Sequence, residues 1–209
     1  MEQEQLQRCL ALIRGYEEGF ANRLARRVIY KPKLNIWLFL VPFLFIYHFS
    51  ELRRYREGLP AFARGFLRSK LHALEMAGEE VRLGRRKTEA EMVPPADPEL
   101  DKPSMAEVRR KQVEESRLLL EHYRRLLARP ALNYVEMLRK AYGGRREFQD
   151  FVEALQLAES ELNKAVLATM AESEEKQEAQ KVVARMEEES LKLRVADLTH
   201  FFPSDSHGV

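Results

Sequence analysis

One apolar stretch, residues 34–49 (LNIWLFLVPFLFIYHF), constrains this sequence more than any other feature. Only Asn35, Pro42 and His48 interrupt its large apolar side chains, so a helix here would be apolar on all faces. A surface helix of a soluble protein has only one apolar face. Sixteen residues form a helix about 24 Å long, whereas a bilayer core is about 30 Å thick. The stretch therefore suits a membrane but is short for a span.

Pro42, at the middle of the stretch, predicts how the chain enters the membrane. Proline removes a backbone hydrogen bond and disfavours helical angles at the residue before it. A break there favours a hairpin that enters and leaves one leaflet over a kinked single span. Five basic residues precede the stretch, from Arg23 to Lys33, and four follow it, from Arg53 to Arg64. This balance gives no orientation by the positive-inside rule and fits two cytoplasmic flanks.

The predicted site is therefore a membrane insert with basic anchors. The side chains predicted to lie in the membrane are Leu34, Ile36, Trp37, Leu38, Phe39, Leu40, Val41, Pro42, Phe43, Leu44, Phe45, Ile46, Tyr47 and Phe49. The side chains predicted to contact lipid headgroups are Arg26, Arg27, Lys31, Lys33, Arg53, Arg54 and Arg56.

The net charge of +2 is unevenly distributed along the chain. Residues 1–87 carry 17 Lys and Arg against 9 Asp and Glu, and residues 88–209 carry 18 against 24. The basic half contains the apolar stretch, which fits attraction to anionic headgroups. A basic half is also typical of nucleic-acid binding. The sequence contains none of the usual nucleic-acid-binding signatures, so membrane lipids are the expected partner and nucleic acid is not.

The composition predicts an all-α protein, because 33% of its residues are charged and it has only 9 Gly and 9 Pro. The apolar periodicity and the proline positions divide it into predicted segments. These are an amphipathic helix within 1–33, the inserted helix at 34–57, a second amphipathic helix at 58–83, a Pro-rich linker at 84–103, an acidic helical domain at 104–200 and a mobile tail at 201–209. In the acidic domain, the long pattern from about residue 147 fits a helical hairpin with coiled-coil-like pairing. A solvated rod continuing through residues 171–181 is the other arrangement.

The residues typical of catalytic and metal sites do not form a recognisable motif. Cys9 is the only cysteine, so an intramolecular disulfide is excluded and a reducing compartment is favoured. His48 and Glu51, and likewise His72 and Glu75, are three residues apart and would share a helix face. Their order is the reverse of the Glu-x-x-His pairs of helical metal sites. No phosphate-binding glycine loop or nucleophile elbow is present, so we expect no cofactor and no metal.

These observations predict a non-enzymatic, membrane-anchored scaffold that holds its acidic helices at the cytoplasmic membrane face. Those helices would bind a protein partner or a second copy. A first alternative is a membrane-surface enzyme. Over residues 30–57, the proline-broken insert is similar to that of monotopic phosphoglycosyl transferases. This resemblance implies lipid-linked substrates and a substrate-facing set of His48, Glu51, Arg53 and Arg54. A second alternative is a soluble helical oligomer in which residues 34–49 pack together as a core.

Overall fold

The computed structural model describes residues 2–28, 58–88 and 105–203, and all the regular elements in these ranges are helices. The predicted all-α class is confirmed. The helices are Gln3–Val28 (α1), Gly58–Leu83 (α2), Ala106–Leu127 (α3), Tyr134–Tyr142 (α4), Arg145–Thr169 (α5) and Glu174–Phe201 (α6). The predicted membrane insert, most of the predicted linker and the end of the predicted tail lie outside the described residues.

Local capping signals set the limits of α4 and α6. The Asn133 side chain accepts a hydrogen bond from the Glu136 amide at 2.9 Å, and Gly143 closes α4 with a left-handed φ of 64°. Both are frequent capping residues. Ser173 caps α6 by accepting from the Lys176 amide at 3.3 Å. The solvated rod through 171–181 is therefore wrong. Met170 is extended, and the chain reverses so that the apolar residues of α6 can pack on α5.

The antiparallel pairing of α1 and α2 begins the architecture. Leu10 of α1 faces Gly78 of α2, while the rings of Phe20 and Phe66 lie 5.9 Å apart further along the pair. We call the end where α1 finishes and α2 starts the upper end. The next helix, α3, runs parallel to α2, because Lys70 lies near Glu115 and Glu80 binds Arg124.

Two more helices complete a helix ring in the order α1, α2, α3, α5, α6 and back to α1. In each remaining pair of neighbours the two helices are antiparallel, because residue numbers rise along one helix while those of the residues in contact with it fall. The contacts are Lys111–Glu161 and His122–Phe151 for α3 and α5, Asn163–Glu187 and Glu159–Arg194 for α5 and α6, and Arg27–Glu189 and Tyr16–Asp197 for α6 and α1. The short α4 packs against α1, α3, α5 and α6 at the lower end.

Apolar side chains inside the ring form two clusters. The lower cluster includes Ile13, Leu74, Tyr123, Met137 and Phe148, and the upper cluster includes Phe20, Leu24, Val28, Phe62 and Leu193. The lower cluster draws residues from both sides of the Pro-rich stretch. The change in the sign of the charge along the chain therefore does not separate two cores among the described residues.

The α1–α2 interface gives a direct test of this register. A Cβ built at Gly78 would lie 3.1 Å from a Leu10 methyl carbon, whereas one at Gly15 would meet nothing within 4 Å. We expect Gly78→Val to lower the free energy of unfolding by about 1–3 kcal/mol, because it overfills the interface. Gly15→Val, the matched control, should change it by less than about 0.5 kcal/mol. Urea denaturation followed by circular dichroism measures both, and equal effects would contradict the pairing.

Candidate functional site: a charged centre inside the helix ring

Of the residues predicted to contact headgroups, the structure describes two. Arg26 is exposed near the end of α1, and the Arg27 guanidinium binds the Glu189 carboxylate of α6 at 3.3 Å. The others lie outside the described residues, namely Lys31, Lys33, Arg53, Arg54 and Arg56. So do all the predicted membrane-inserted side chains, and also His48 and Glu51 of the substrate-facing set in the enzyme alternative. Among the helices that the structure describes, none is both long and apolar enough to cross a membrane.

The interior of the ring holds a group of ionisable side chains that the sequence analysis did not identify. We call this group the charged centre, and each helix of the ring contributes one member. The members are Glu17 of α1, Lys70 of α2, Glu115 of α3, Glu159 of α5 and Arg194 of α6. All except Glu159 are buried, and the Glu159 side chain is only 15% exposed.

The sequence predicts the burial of two of these residues by their spacing from apolar residues. Glu159 continues the apolar spacing of Leu155, Leu162 and Val166, so it lies on the buried face of α5. Lys70 likewise falls between Leu67 and Leu74. A charge at an apolar helix position requires a buried partner, but the sequence does not say which helix supplies it.

Glu159 is the residue that joins the two cations of the charged centre. Lys70 Nζ lies 2.8 Å from Glu159 Oε1, and Arg194 Nη2 lies 2.8 and 2.7 Å from the two Glu159 oxygens. Burial alone would raise the pKa of Glu159, but Arg194 and Lys70 outweigh it, so this pKa is lowered. Burial also opposes the charge on Lys70, yet the surrounding carboxylates raise its pKa. This ion triplet is therefore charged in the folded protein.

The other two carboxyl groups have weaker partners. The Tyr123 hydroxyl donates to Glu17 Oε1 at 3.0 Å, and the Ser69 hydroxyl donates to Glu115 Oε1 at 3.2 Å. Glu115 lies 4.0 Å from Lys70 Nζ. Burial raises the pKa of both Glu17 and Glu115, although Lys70 opposes the shift. Their charged forms are therefore less well stabilised than that of Glu159.

A second polar contact closes the ring between its first and last helices. The Tyr16 hydroxyl donates to Asp197 Oδ2 at 2.9 Å, and Arg23 Nη2 lies 2.7 Å from the same oxygen. Burial raises the pKa of Tyr16 well above its ordinary value, and the Asp197 carboxylate adds to this. The phenol therefore remains a donor to Asp197.

A cavity of about 120 Å³ adjoins the charged centre between α2, α3, α5 and α6. Its wall combines carboxylates, aromatic rings and one hydroxyl, and the residues used below are Phe62, Phe66, Glu115, Glu159, Glu187 and Ser190. Ser190 is only 4% exposed, and its Oγ has no hydrogen-bond partner among the described residues. Helix bundles commonly build ligand sites from such inward-facing side chains.

The histidines that the structure describes are not arranged around a metal ion. Within residues 2–28, 58–88 and 105–203, no group of three or more His, Cys, Asp or Glu side chains could hold one. Glu75, predicted to share a face with His72, lies 3.8 Å from Arg14 Nη2.

His122 of α3 lies in the lower part of the ring. Its Nδ1 is 2.6 Å from the Tyr142 hydroxyl, and its ring stacks on Phe151 at 4.2 Å. Burial, aided by the charges of Arg125 and Lys70, lowers the pKa of His122 to about 3. The imidazole is therefore neutral in the folded protein at neutral pH.

No protein-family model, no curated protein and no solved structure matches this chain. The functional argument therefore rests on the geometry of the helix ring and on the sequence.

Substitutions in the charged centre test the role of Glu159. Glu159→Gln leaves Lys70 and Arg194 without their shared carboxylate, so we expect it to lower the free energy of unfolding by about 3–5 kcal/mol. Glu115→Gln makes the same chemical change to a carboxyl group whose charged form is already disfavoured, and we expect a loss below about 1.5 kcal/mol. Urea denaturation at neutral pH compares the two. Equal losses would mean that Glu159 does not join the two cations.

The buried imidazole of His122 should make the free energy of unfolding depend on pH. Its pKa is about 3 in the folded protein and about 6.5 in the unfolded chain. The unfolded state therefore binds the extra proton between these values, and stability falls as the pH drops below about 6.5. Between pH 7 and pH 4.5, the free energy of unfolding should fall by about 2–3 kcal/mol more in the wild type than in His122→Gln.

Denaturation midpoints measured across this pH range provide the comparison. His200→Gln, a change at an exposed histidine of α6, is the control and should keep the wild-type dependence. If His122→Gln also keeps it, the imidazole is not held neutral by the fold.

Proposed function

We propose that this protein is a membrane-anchored helical interaction protein. Residues 34–49 insert into one leaflet and hold the helix ring at the cytoplasmic face of the membrane. The observation that carries the proposal is that α1 ends and α2 begins at the same end of the ring. Val28 and Gly58, which flank residues 29–57 and their apolar stretch, therefore both lie at the upper end.

Apolar packing at the upper end supports this proposal. Val28, the last residue of α1, and Phe62, in the second turn of α2, belong to the same apolar cluster. A single span would place its two ends on opposite sides of a core about 30 Å thick. Two ends held by one cluster favour entry and exit through one face, with Pro42 at the turning point.

Charges at the upper end support attachment to anionic lipid. Arg26, near the end of α1, and Arg64, near the start of α2, are both exposed. Each cation close to an anionic surface adds about 1 kcal/mol to binding. Arg27 also keeps a side chain that is 46% exposed while it binds Glu189. Headgroup contact is therefore compatible with the ion pairs of the ring.

The C-terminal helices complete the proposal as the part that binds a protein partner or a second copy. Leu191 and Val195 lie one turn apart on α6, and both side chains are exposed. The exposed Glu188 precedes them on the same helix. This mixture of apolar and acidic side chains is compatible with a protein-facing surface.

Flotation with vesicles tests the proposal. Wild-type protein should float with vesicles of phosphatidylcholine and phosphatidylglycerol, whereas a Leu38→Glu, Phe43→Glu variant should remain in the dense fraction. Two charges in the insert make its burial in lipid unfavourable by about 2.5 kcal/mol or more each. The thermal transition of the ring should stay within about 2 °C of wild type, because in this proposal residues 34–49 insert into lipid and do not form part of the ring's core.

The matched control places the same two charges on the ring. Leu132 and Leu157 are 80% and 63% exposed, and the Leu132→Glu, Leu157→Glu variant should float like wild type. Wild-type protein that stays in the dense fraction as a detergent-free oligomer would instead favour the alternative in which residues 34–49 pack together.

A further inference from the structure

We propose that the cavity beside the charged centre binds a small organic cation, an ammonium group that carries a short alkyl chain. This binding activity goes beyond the proposed membrane role and does not depend on it.

The charges around the cavity favour a cation over an anion. Among the described residues of the cavity wall, Lys70 is the one basic residue, and Glu115, Glu159 and Glu187 supply three carboxyl groups. Lys70 directs its ammonium to Glu159 at 2.8 Å. Arg194 binds both Glu159 oxygens and does not line the cavity. Because Glu159 already binds both cations, Glu115 and Glu187 are the carboxyl groups of the wall to which a further positive charge could bind.

Two of these carboxyl groups have room for a further donor. Glu115 accepts from the Ser69 hydroxyl and lies 4.0 Å from Lys70, beyond direct hydrogen-bonding distance. Glu187 accepts from the Asn163 amide at 3.0 Å. A carboxylate has about four lone-pair sites, so both retain acceptor capacity. Burial also raises the pKa of Glu115, and a bound ammonium would oppose that effect.

The unsatisfied hydroxyl of Ser190 is independent support for a ligand. Ser190 lines the cavity, and its Oγ is buried without a hydrogen-bond partner among the described residues. An unsatisfied buried hydroxyl costs about 1–3 kcal/mol. An ammonium group has N–H donors and no acceptor, so it can satisfy the lone pairs of Ser190 and of a carboxylate together.

The apolar part of the cavity wall limits the size and kind of the ligand. The rings of Phe62 and Phe66 are nearly parallel, with an interplanar angle of 7° and centroids 6.5 Å apart. Lys70 Nζ already lies 4.2 Å from the Phe66 centroid, which indicates that this wall accepts positive charge. The volume of about 120 Å³ is somewhat below the roughly 150 Å³ of a cavity that holds benzene. A four-carbon amine such as n-butylammonium fits this space.

Calorimetric titration of the full-length protein with n-butylammonium chloride tests the proposal. We expect saturable binding with a dissociation constant in the millimolar range, as for a ligand with about five heavy atoms. n-Butanol should bind at least about tenfold more weakly, because it lacks the charge, and butyrate should not bind. If n-butanol binds as tightly as the amine, recognition of a cation is refuted.

Variants locate the binding. Glu115→Gln should weaken the binding of n-butylammonium by about tenfold or more. Glu114→Gln makes the same change at a half-buried residue of α3 that does not line the cavity, and it should leave binding unchanged. Ser190→Leu fills the cavity and should abolish binding with the thermal transition retained. This second variant keeps the test decisive if Glu115→Gln fails to fold. Wild-type affinity in Ser190→Leu would place the amine elsewhere and overturn the proposal.

Discussion

The antiparallel packing of α1 on α2 is the contact on which the rest of this structure depends. It places Leu10 against Gly78 at one level and Phe20 against Phe66 at another. Because the two helices are antiparallel neighbours, the end of α1 and the start of α2 both lie at the upper end of the ring. The same pair gives α6 a surface to close against, through the contacts of Tyr16 and Arg23 with Asp197.

The charged centre restricts the register of the helices in the ring more strongly than the apolar clusters alone would. Apolar side chains tolerate shifts in register, whereas a buried ion without its partner is strongly destabilising. Because each helix of the ring supplies one charged residue, a slide of one helix would separate its charge from the others. A buried ion network need not add net stability, so its value here lies in fixing the arrangement and in shaping the polar wall of the cavity.

Much of the local structure follows from the sequence, but the assembly does not. The predicted all-α class is confirmed, and Gly143 ends α4 as a glycine after a short amphipathic helix is expected to do. The periodicity identifies the buried face of each helix without naming the neighbour that covers it. The closure of α6 against α1 joins residues far apart in the chain, such as Tyr16 and Asp197, and no local pattern encodes that pairing. Glu159 shows the same limit, because its position in an apolar stripe predicts burial but not its bonds to Lys70 and Arg194.

The central claim is that residues 29–57 leave the helix ring and return to it on one side of a membrane. The most direct measurement is the labelling of single cysteines by a membrane-impermeant maleimide in sealed vesicles, before and after lysis. Lys33→Cys and Arg53→Cys would each be made in a Cys9→Ala background, with Leu132→Cys on the exposed ring surface as the reference. We predict that all three cysteines react from the same side of the vesicle. Labelling of Lys33→Cys and Arg53→Cys from opposite sides would contradict the account.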